Sequence, residues 1–281
     1  MSVDEGHRSC RAPVGQVHWR VRGAKAQGDS HRRLGMPCQD AFHFAEVSAT
    51  EGSAPTYVLA VADGAGSRRR SGEGADHAVR VGTQAVERLL AAGPCPAGAA
   101  DWGYLAGEAF RDAHRTLLGL FRAYGDPADF ATTLTLAILH RHYVAWAAVG
   151  DCFLVVRAKR GLDASFALVD LEPKSRYGAA ADETAFVTSD RCLETLRNYA
   201  MDDPRVTGVL LSTDGLESPF VRNSGRDPQV TESIVRSVME YFDEQPQQPD
   251  AALGDFLYSP QFRQYTQDDK TIVVAVSDDD R

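Results

Sequence analysis

The chain has 281 residues, 43% of them hydrophobic, and carries 39 acidic against 30 basic side chains, for a formal net charge of -9. That balance disfavours a nucleic-acid module, which presents a basic face, and no apolar run approaches the roughly 20 residues needed to cross a bilayer. The five cysteines (10, 38, 95, 152 and 192) form no CxxC pair and have no histidine at zinc-ligand spacing, so they read as reduced thiols. With a polar segment at 1–11 that lacks an apolar signal core, the expected location is the cytoplasm, with no membrane partner.

Residues 1–14 read as disordered. Val17 to Arg22 alternates and predicts a first strand, Gly23 to Pro37 reads as loop, and strands are expected over Asp40–Ala45 and Thr56–Ala62. Apolar residues then recur at three- and four-residue spacing from Ser71 to Ala92, stopped by Gly93-Pro94, and again from Trp102 to Tyr124, stopped by Gly125-Asp126-Pro127. Strand-like runs follow at Thr132–Leu139, Tyr143–Val149, Phe153–Arg157 and Phe166–Leu171. Glu172 to Asp190 has little periodicity and reads as an irregular excursion. A strand at Val206–Ser212, helices at Thr231–Phe242 and Pro249–Tyr258, and a strand at Thr271–Val276 complete the pattern, with 277–281 as a solvated tail. No linker or repeat interrupts 15–276, so one domain is expected. Without βαβ alternation, the order suggests an α+β sandwich of largely antiparallel sheets with helices outside.

Four acidic segments carry the chemistry: Cys38-Gln39-Asp40, Ala62-Asp63-Gly64-Ala65-Gly66-Ser67, Ser212-Thr213-Asp214-Gly215 and Gln267-Asp268-Asp269-Lys270-Thr271. Three of them set an aspartate at or beside the end of an apolar strand, where a carboxylate is held rigidly yet meets solvent. A lone Asp-Gly is usually an ordinary turn; two at strand ends, with two further acidic segments, point to an oxygen-rich site for hard divalent cations. Such ions lower the pKa of water and stabilise charge in an in-line displacement at phosphorus. No G-x-S-x-G elbow or P-loop competes. Arg68-Arg69-Arg70 reads either as a solvated turn or as a positive patch beside Asp63 that attracts a phosphorylated partner. The histidines at 18, 43, 77, 114, 140 and 142 are scattered and read as structural or solvent-facing; His31 reads as ordering the loop before Asp40.

In order, these segments resemble the motifs of the metal-dependent Ser/Thr protein phosphatases of the PP2C (PPM) type. Gln39-Asp40 falls on the early acidic pair, Val61 to Ser67 on the Asp-Gly-x-Gly motif, and Ala131-Thr-Thr-Leu134 and Val149-Gly-Asp151 on the central motifs. Leu211 to Gly215 and Asp268 to Thr271 fall on the last two. The Gly28-Asp-Ser-His31 and Pro37-Cys-Gln-Asp40 style is similar to a bacterial subgroup of compact members. The resemblance implies a four-layer α-β-β-α sandwich, two antiparallel sheets flanked by helices, with metals at one end. It implies that Asp63 bridges two Mn²⁺ or Mg²⁺ ions, that Asp214 and Asp268 complete one, and that the Gly64 carbonyl ligates the other with Asp40 nearby through water. It implies a third ion at Asp151 and a flap over 172–190. The implied reaction is hydrolysis of phosphoserine and phosphothreonine by direct attack of a metal-bridging hydroxide. The implied substrate is a phosphorylated protein, either a cognate Ser/Thr kinase or its targets.

The chain departs from the family's pattern in places. Gly35 stands where many relatives carry a phosphate-gripping arginine, which leaves Arg32 or Arg33 as candidates for phosphate binding. Gln39 replaces an acidic residue, Ala65 a histidine proposed elsewhere as general acid, and Cys152-Phe153 a common Ser-Arg. Two other readings follow: a catalytically weak module that binds phosphoproteins or a kinase, and a phosphatase of a small phosphorylated metabolite.

Overall fold

The computed structural model describes residues 17–47, 54–161, 163–172, 184–224, 227–244 and 251–277. The expectations for 1–14, for 173–183 of the excursion and for 278–281 lie outside the described residues. Residues 184–190 form neither helix nor strand.

In chain order the elements are β1 (Trp19–Ala26), α1 (Asp29–Leu34), β2 (Ala41–Val47), β3 (Thr56–Ala62), α2 (Ser71–Ala92), α3 (Ala99–Tyr124), β4 (Leu134–His140), β5 (Tyr143–Val149), β6 (Phe153–Arg160) and β7 (Asp163–Asp170). They continue with β8 (Arg197–Asp202), β9 (Val206–Ser212), α4 (Glu217–Phe220), β10 (Val221–Ser224), β11 (Asp227–Val230), α5 (Glu232–Glu244), α6 (Ala251–Tyr258), α7 (Pro260–Arg263) and β12 (Lys270–Ser277). The loop expected from Gly23 to Pro37 is corrected. Its first four residues extend β1 in register with β12, and Asp29–Leu34 is a helix closed by Gly35 at φ +66°. That helix buries none of its residues, so it leaves no apolar period to read.

Two five-stranded sheets form, in the orders β1-β12-β9-β6-β7 and β2-β3-β4-β5-β8, and every neighbouring pair is antiparallel. All seven residues of β3, β4 and β9 are buried, because both faces of their sheets are covered. The two-residue alternation divides them between layers. Leu59, Val61, Leu139, Trp146, Leu154, Val156, Val209, Leu211 and Val273 pack between the sheets. Val58, Ala60, Leu136 and Ala147 face α2 and α3, whose Val79, Val86, Phe110, Leu117 and Phe121 complete that layer. Phe153, Leu210, Ile272 and Val274 face Phe220, Val235, Met239, Leu257 and Phe262 on the other side. Each fully buried Leu, Ile, Val or Phe contributes about 1.5–3 kcal/mol, so the three apolar layers hold an α-β-β-α order. No described helix is long and apolar enough to cross a membrane.

The antiparallel order sets the site. The C-terminal ends of β3, β5 and β9 and the N-terminal ends of β2, β4, β6 and β12 all reach the same end of the sandwich. Each acidic segment lies at one of these ends.

Candidate metal centre

Asp63 leaves β3 where the strand ladder ends, and its backbone is fixed from β4. Its N–H donates to Thr133 Oγ1 at 2.8 Å, and its carbonyl accepts from Thr132 Oγ1 and the Thr133 N–H, both at 2.9 Å. A side chain at the next residue would not fit: a Cβ on Gly64 would lie 2.7 Å from the Gln39 carbonyl oxygen and 2.8 Å from Ser71 backbone. Gly150, at φ +99°, turns the chain from β5 in one sheet to β6 in the other and delivers Asp151 to the same end. The half-buried Arg197 of β8 donates to the Gly150 carbonyl at 2.8 Å while paired with Asp170 at 3.0 Å. Asp214 opens a short 3-10 turn directly after β9.

Asp63, Asp151 and Asp214 each offer a carboxylate oxygen, and the three oxygens lie within 4.8 Å of one another. Asp40 lies beside them in a buried position. Its Oδ2 accepts from Thr213 Oγ1 at 2.7 Å, and Thr213 Oγ1 in turn accepts the Thr271 N–H. Lys25 donates to the Asp40 carbonyl at 2.7 Å.

The electrostatics are those of like charges held together. Burial first, then the charges of Asp40, Asp214 and Asp151, push Asp63 well above the usual carboxylate range. Burial, then the charges of Asp269 and Asp214, raise Asp40 to about 8 against the opposing Thr213 hydrogen bond. Burial and the charge of Asp151 raise Asp214 to about 6. Burial also raises the neighbouring Cys152 thiol, which meets Thr133 Oγ1 at 3.2 Å. It therefore offers a protonated sulfur rather than a soft ligand.

The remaining expected residues lie around this group. Asp268 is exposed at its edge, and its Oδ1 accepts the N–H of Asp269 at 2.8 Å. Its charge reaches Asp214. Arg32 lies 3.6 Å from Asp29 with its guanidinium over the Tyr258 ring, and Arg33 bonds Gln267. Arg70 is a structural residue: it pairs with Glu73, donates to the Tyr124 carbonyl and covers Phe130. Arg68 and Arg69 are exposed. Among the histidines, His43 bonds Thr83, and His140 bonds Thr56 and stacks on Trp102.

The donor set fits a hard dication. It is all oxygen and carries excess negative charge, which a divalent ion would neutralise. The buried Gln39 Oε1 beside it has no protein donor. Sequence reasoning had no role for Thr132, Thr133, Thr213, Arg197 or Asp269. All but Arg197 stand inside the matched motifs, which was their only signal.

A two-sheet antiparallel sandwich with three carboxylates converging at one end defines a candidate site for divalent metal. The Protein phosphatase 2C family matches residues 27–258. Serine/threonine-protein phosphatase 3 of Escherichia coli K12 is 27% identical over 267 residues, which cover 92% of this chain and 99% of that protein. Among solved structures, serine-threonine phosphatase 2C from Toxoplasma gondii superposes with a TM-score of 0.62 at 13% identity, covering 95% of this chain and 98% of that one. The phosphatase Stp1 from Staphylococcus aureus gives 0.60 at 15% identity, with the same coverage. The chain belongs to the protein phosphatase 2C family and is a phosphoric monoester hydrolase.

Proposed function

We propose that the chain is a metal-dependent protein serine/threonine phosphatase whose centre is built from Asp40, Asp63, Gly64, Asp151, Asp214 and Asp268. The observation that carries this reading is the convergence of Asp63, Asp151 and Asp214 oxygens within 4.8 Å of one another, with the proton affinities of Asp63 and Asp214 pushed up by burial and then by neighbouring carboxylates. The name of the E. coli relative supports serine/threonine specificity. Two Mn²⁺ or Mg²⁺ ions, with a third at Asp151, would supply water of lowered pKa and positive charge for the phosphoryl oxygens.

The chain's own residues do the holding. Thr132 and Thr133 fix the Asp63 backbone, so its carboxylate meets those of Asp151 and Asp214 without rearrangement. Thr213 turns Asp40 toward the same group. Arg32 and Arg33 on α1 are the candidate phosphate grips in place of the arginine absent at Gly35. With Ala65 after Asp63-Gly64, no histidine there protonates the leaving oxygen. In this reading 15–276 act as one unit with a flap over 172–190. The substrate is a phosphorylated protein, a cognate kinase or its targets, in the cytoplasm. The free thiols of Cys38, Cys95, Cys152 and Cys192 accord with a reducing compartment.

The test is a Mn²⁺ titration of hydrolysis of p-nitrophenyl phosphate, phosphoserine and phosphothreonine peptides and small phosphorylated metabolites. Mn²⁺-dependent turnover that favours the peptides and stops with EDTA is expected. Preference for a metabolite would overturn the substrate assignment. Phosphopeptide binding without turnover at any metal concentration would make the chain a binding module.

A further inference from the structure

Two aspartates stand side by side at the start of β12, and the structure treats them oppositely. Asp268 is exposed, whereas the Asp269 carboxylate is buried, with its side chain only 2% exposed. Three donors from a distant part of the chain converge on it. The Gly28 N–H donates to Oδ1 at 2.7 Å, the Gln39 N–H to Oδ2 at 2.6 Å, and His31 Nδ1 lies 2.8 Å from Oδ2. The Ser30 N–H adds a bond to the Gln267 carbonyl. The approach is as close as backbone allows, since a Cβ on Gly28 would lie 2.3 Å from the Asp268 carbonyl carbon. The Lys270 Nζ donates to the Asp268 carbonyl at 3.1 Å, which holds the turn from β12 as well.

These bonds have a geometric consequence. Gln39 precedes Asp40, and α1 carries Arg32 and Arg33. One carboxylate therefore fastens the backbone next to a proposed ligand, and the helix bearing the proposed phosphate grips, onto the turn that carries Asp268. Charge-assisted bonds to a buried carboxylate are short and strong, and an amide cannot replace this one. Asn at 269 would turn its NH₂ either on the Gly28 N–H or on the Gln39 N–H, and neither can accept.

We propose that Asp269 is a positioning residue of the metal centre, holding the Gln39-Asp40 segment and α1 in place through Gly28, His31 and Gln39. This rests on reading the carboxylate group as a metal centre. Asp269 touches neither metal nor substrate in it, and acts by setting where Asp40 and α1 stand.

The test compares Asp269→Asn with the intact protein by calorimetric titration of Mn²⁺ alone, by thermal unfolding in EDTA, and by KM and kcat on p-nitrophenyl phosphate at several Mn²⁺ concentrations. Mn²⁺ affinity is expected to fall about tenfold, as when groups that orient metal ligands are removed. KM should rise and kcat recover substantially at saturating Mn²⁺. His31→Ala, which removes one donor from outside the turn, should shift Mn²⁺ affinity in the same direction by about threefold, a smaller loss because two of the three bonds remain. It also keeps the test open if Asp269→Asn does not fold. A lower unfolding temperature with unchanged Mn²⁺ affinity and KM in both variants, or in His31→Ala alone if only that variant folds, would overturn the proposal and leave a merely structural residue. No Mn²⁺ binding by the intact protein would instead overturn the metal centre itself.

Discussion

Two of the places where the sandwich buries charge resolve it in opposite ways. At Arg157, on β6, the guanidinium is 1% exposed and fully answered: Asp243 of α5 accepts at 2.5 Å, the Thr207 carbonyl at 2.9 Å and the Thr207 hydroxyl at 3.1 Å. At the strand ends Asp40, Asp63, Asp151 and Asp214 face one another, and the nearby cations address backbone instead. Lys25 bonds the Asp40 carbonyl and Lys270 the Asp268 carbonyl. A buried charge that meets its opposite within the chain ties helix to sheet. A group of like charges raises the energy of the fold on its own and is complemented only from outside. The first region serves architecture, and the second is the one proposed to hold ions.

Removing one charge from each region sharpens the contrast. The largest effect is expected from Asp63→Asn. Loss of the ligand should lower Mn²⁺-dependent hydrolysis by about a thousandfold, the several kcal/mol that ions supply to charge stabilisation. The same change should stabilise the metal-free protein. The folded pKa of Asp63 lies above its unfolded value, so at pH 8 the acid, ionised in the unfolded chain and disfavoured as an ion in the folded one, costs stability that a neutral amide does not. A higher unfolding temperature in EDTA at pH 8, beside lost activity, is the expected pair of results. A lower temperature with activity retained would contradict the reading of the site.

Arg157→Met should do the reverse. It should cost about 3 kcal/mol by leaving the Thr207 carbonyl without its donor and Asp243 with Lys159 alone, at 3.5 Å, measured by urea unfolding, while kcat of the folded fraction stays unchanged. A loss of kcat without a loss of stability would join the two regions that are separated here.

The smallest effect concerns His140, at the end of the sandwich away from the carboxylates. Burial first, then the charges of Arg141 and His142, lower its pKa from 6.5 to about 4. The unfolded chain therefore takes up a proton before the folded one does. Stability should be complete above pH 6.5 and fall by on the order of 1–2 kcal/mol as pH drops toward 4. His140→Gln should flatten that part of the pH–stability curve; an unaltered slope would assign the loss to other groups.

What could be read in advance followed from burial. β3, β5, β9 and α2 match their sequence-predicted limits residue for residue, because covered faces demand apolar runs and the polar Asp-Gly or Gly-Pro pairs beyond them mark where cover ends. The edge strand β8 was missed. Arg-Asn-Tyr-Ala-Met-Asp is half-exposed throughout and carries no apolar run. The helix α1 was missed for a related reason, since its bonds to Gln267 and Asp269 are tertiary and its own residues are not buried. The carboxylate site divides in the same way. Asp63 and Asp214 stand out through their Asp-Gly pairs at strand ends, whereas Asp151 entered only by resemblance. The opposite environments of Asp268 and Asp269 depend on the register of β12 against β1 and β9, which neighbouring letters do not encode.

That register has a temporal side. β12 is an inner strand, inserted between β1 and β9, with Lys25 opposite Thr271 and Ser212 opposite Ile272. The helical hairpin and the sheet beside it, β2-β3-β4-β5-β8, are complete in sequence before β12 begins. The other sheet then lacks the strand that joins its two flanks, and the Gly28 and Gln39 amides lack their acceptor. Until β12 is made, the proposed centre also lacks the Asp268 turn and the bonds that Asp269 accepts from Gly28 and Gln39.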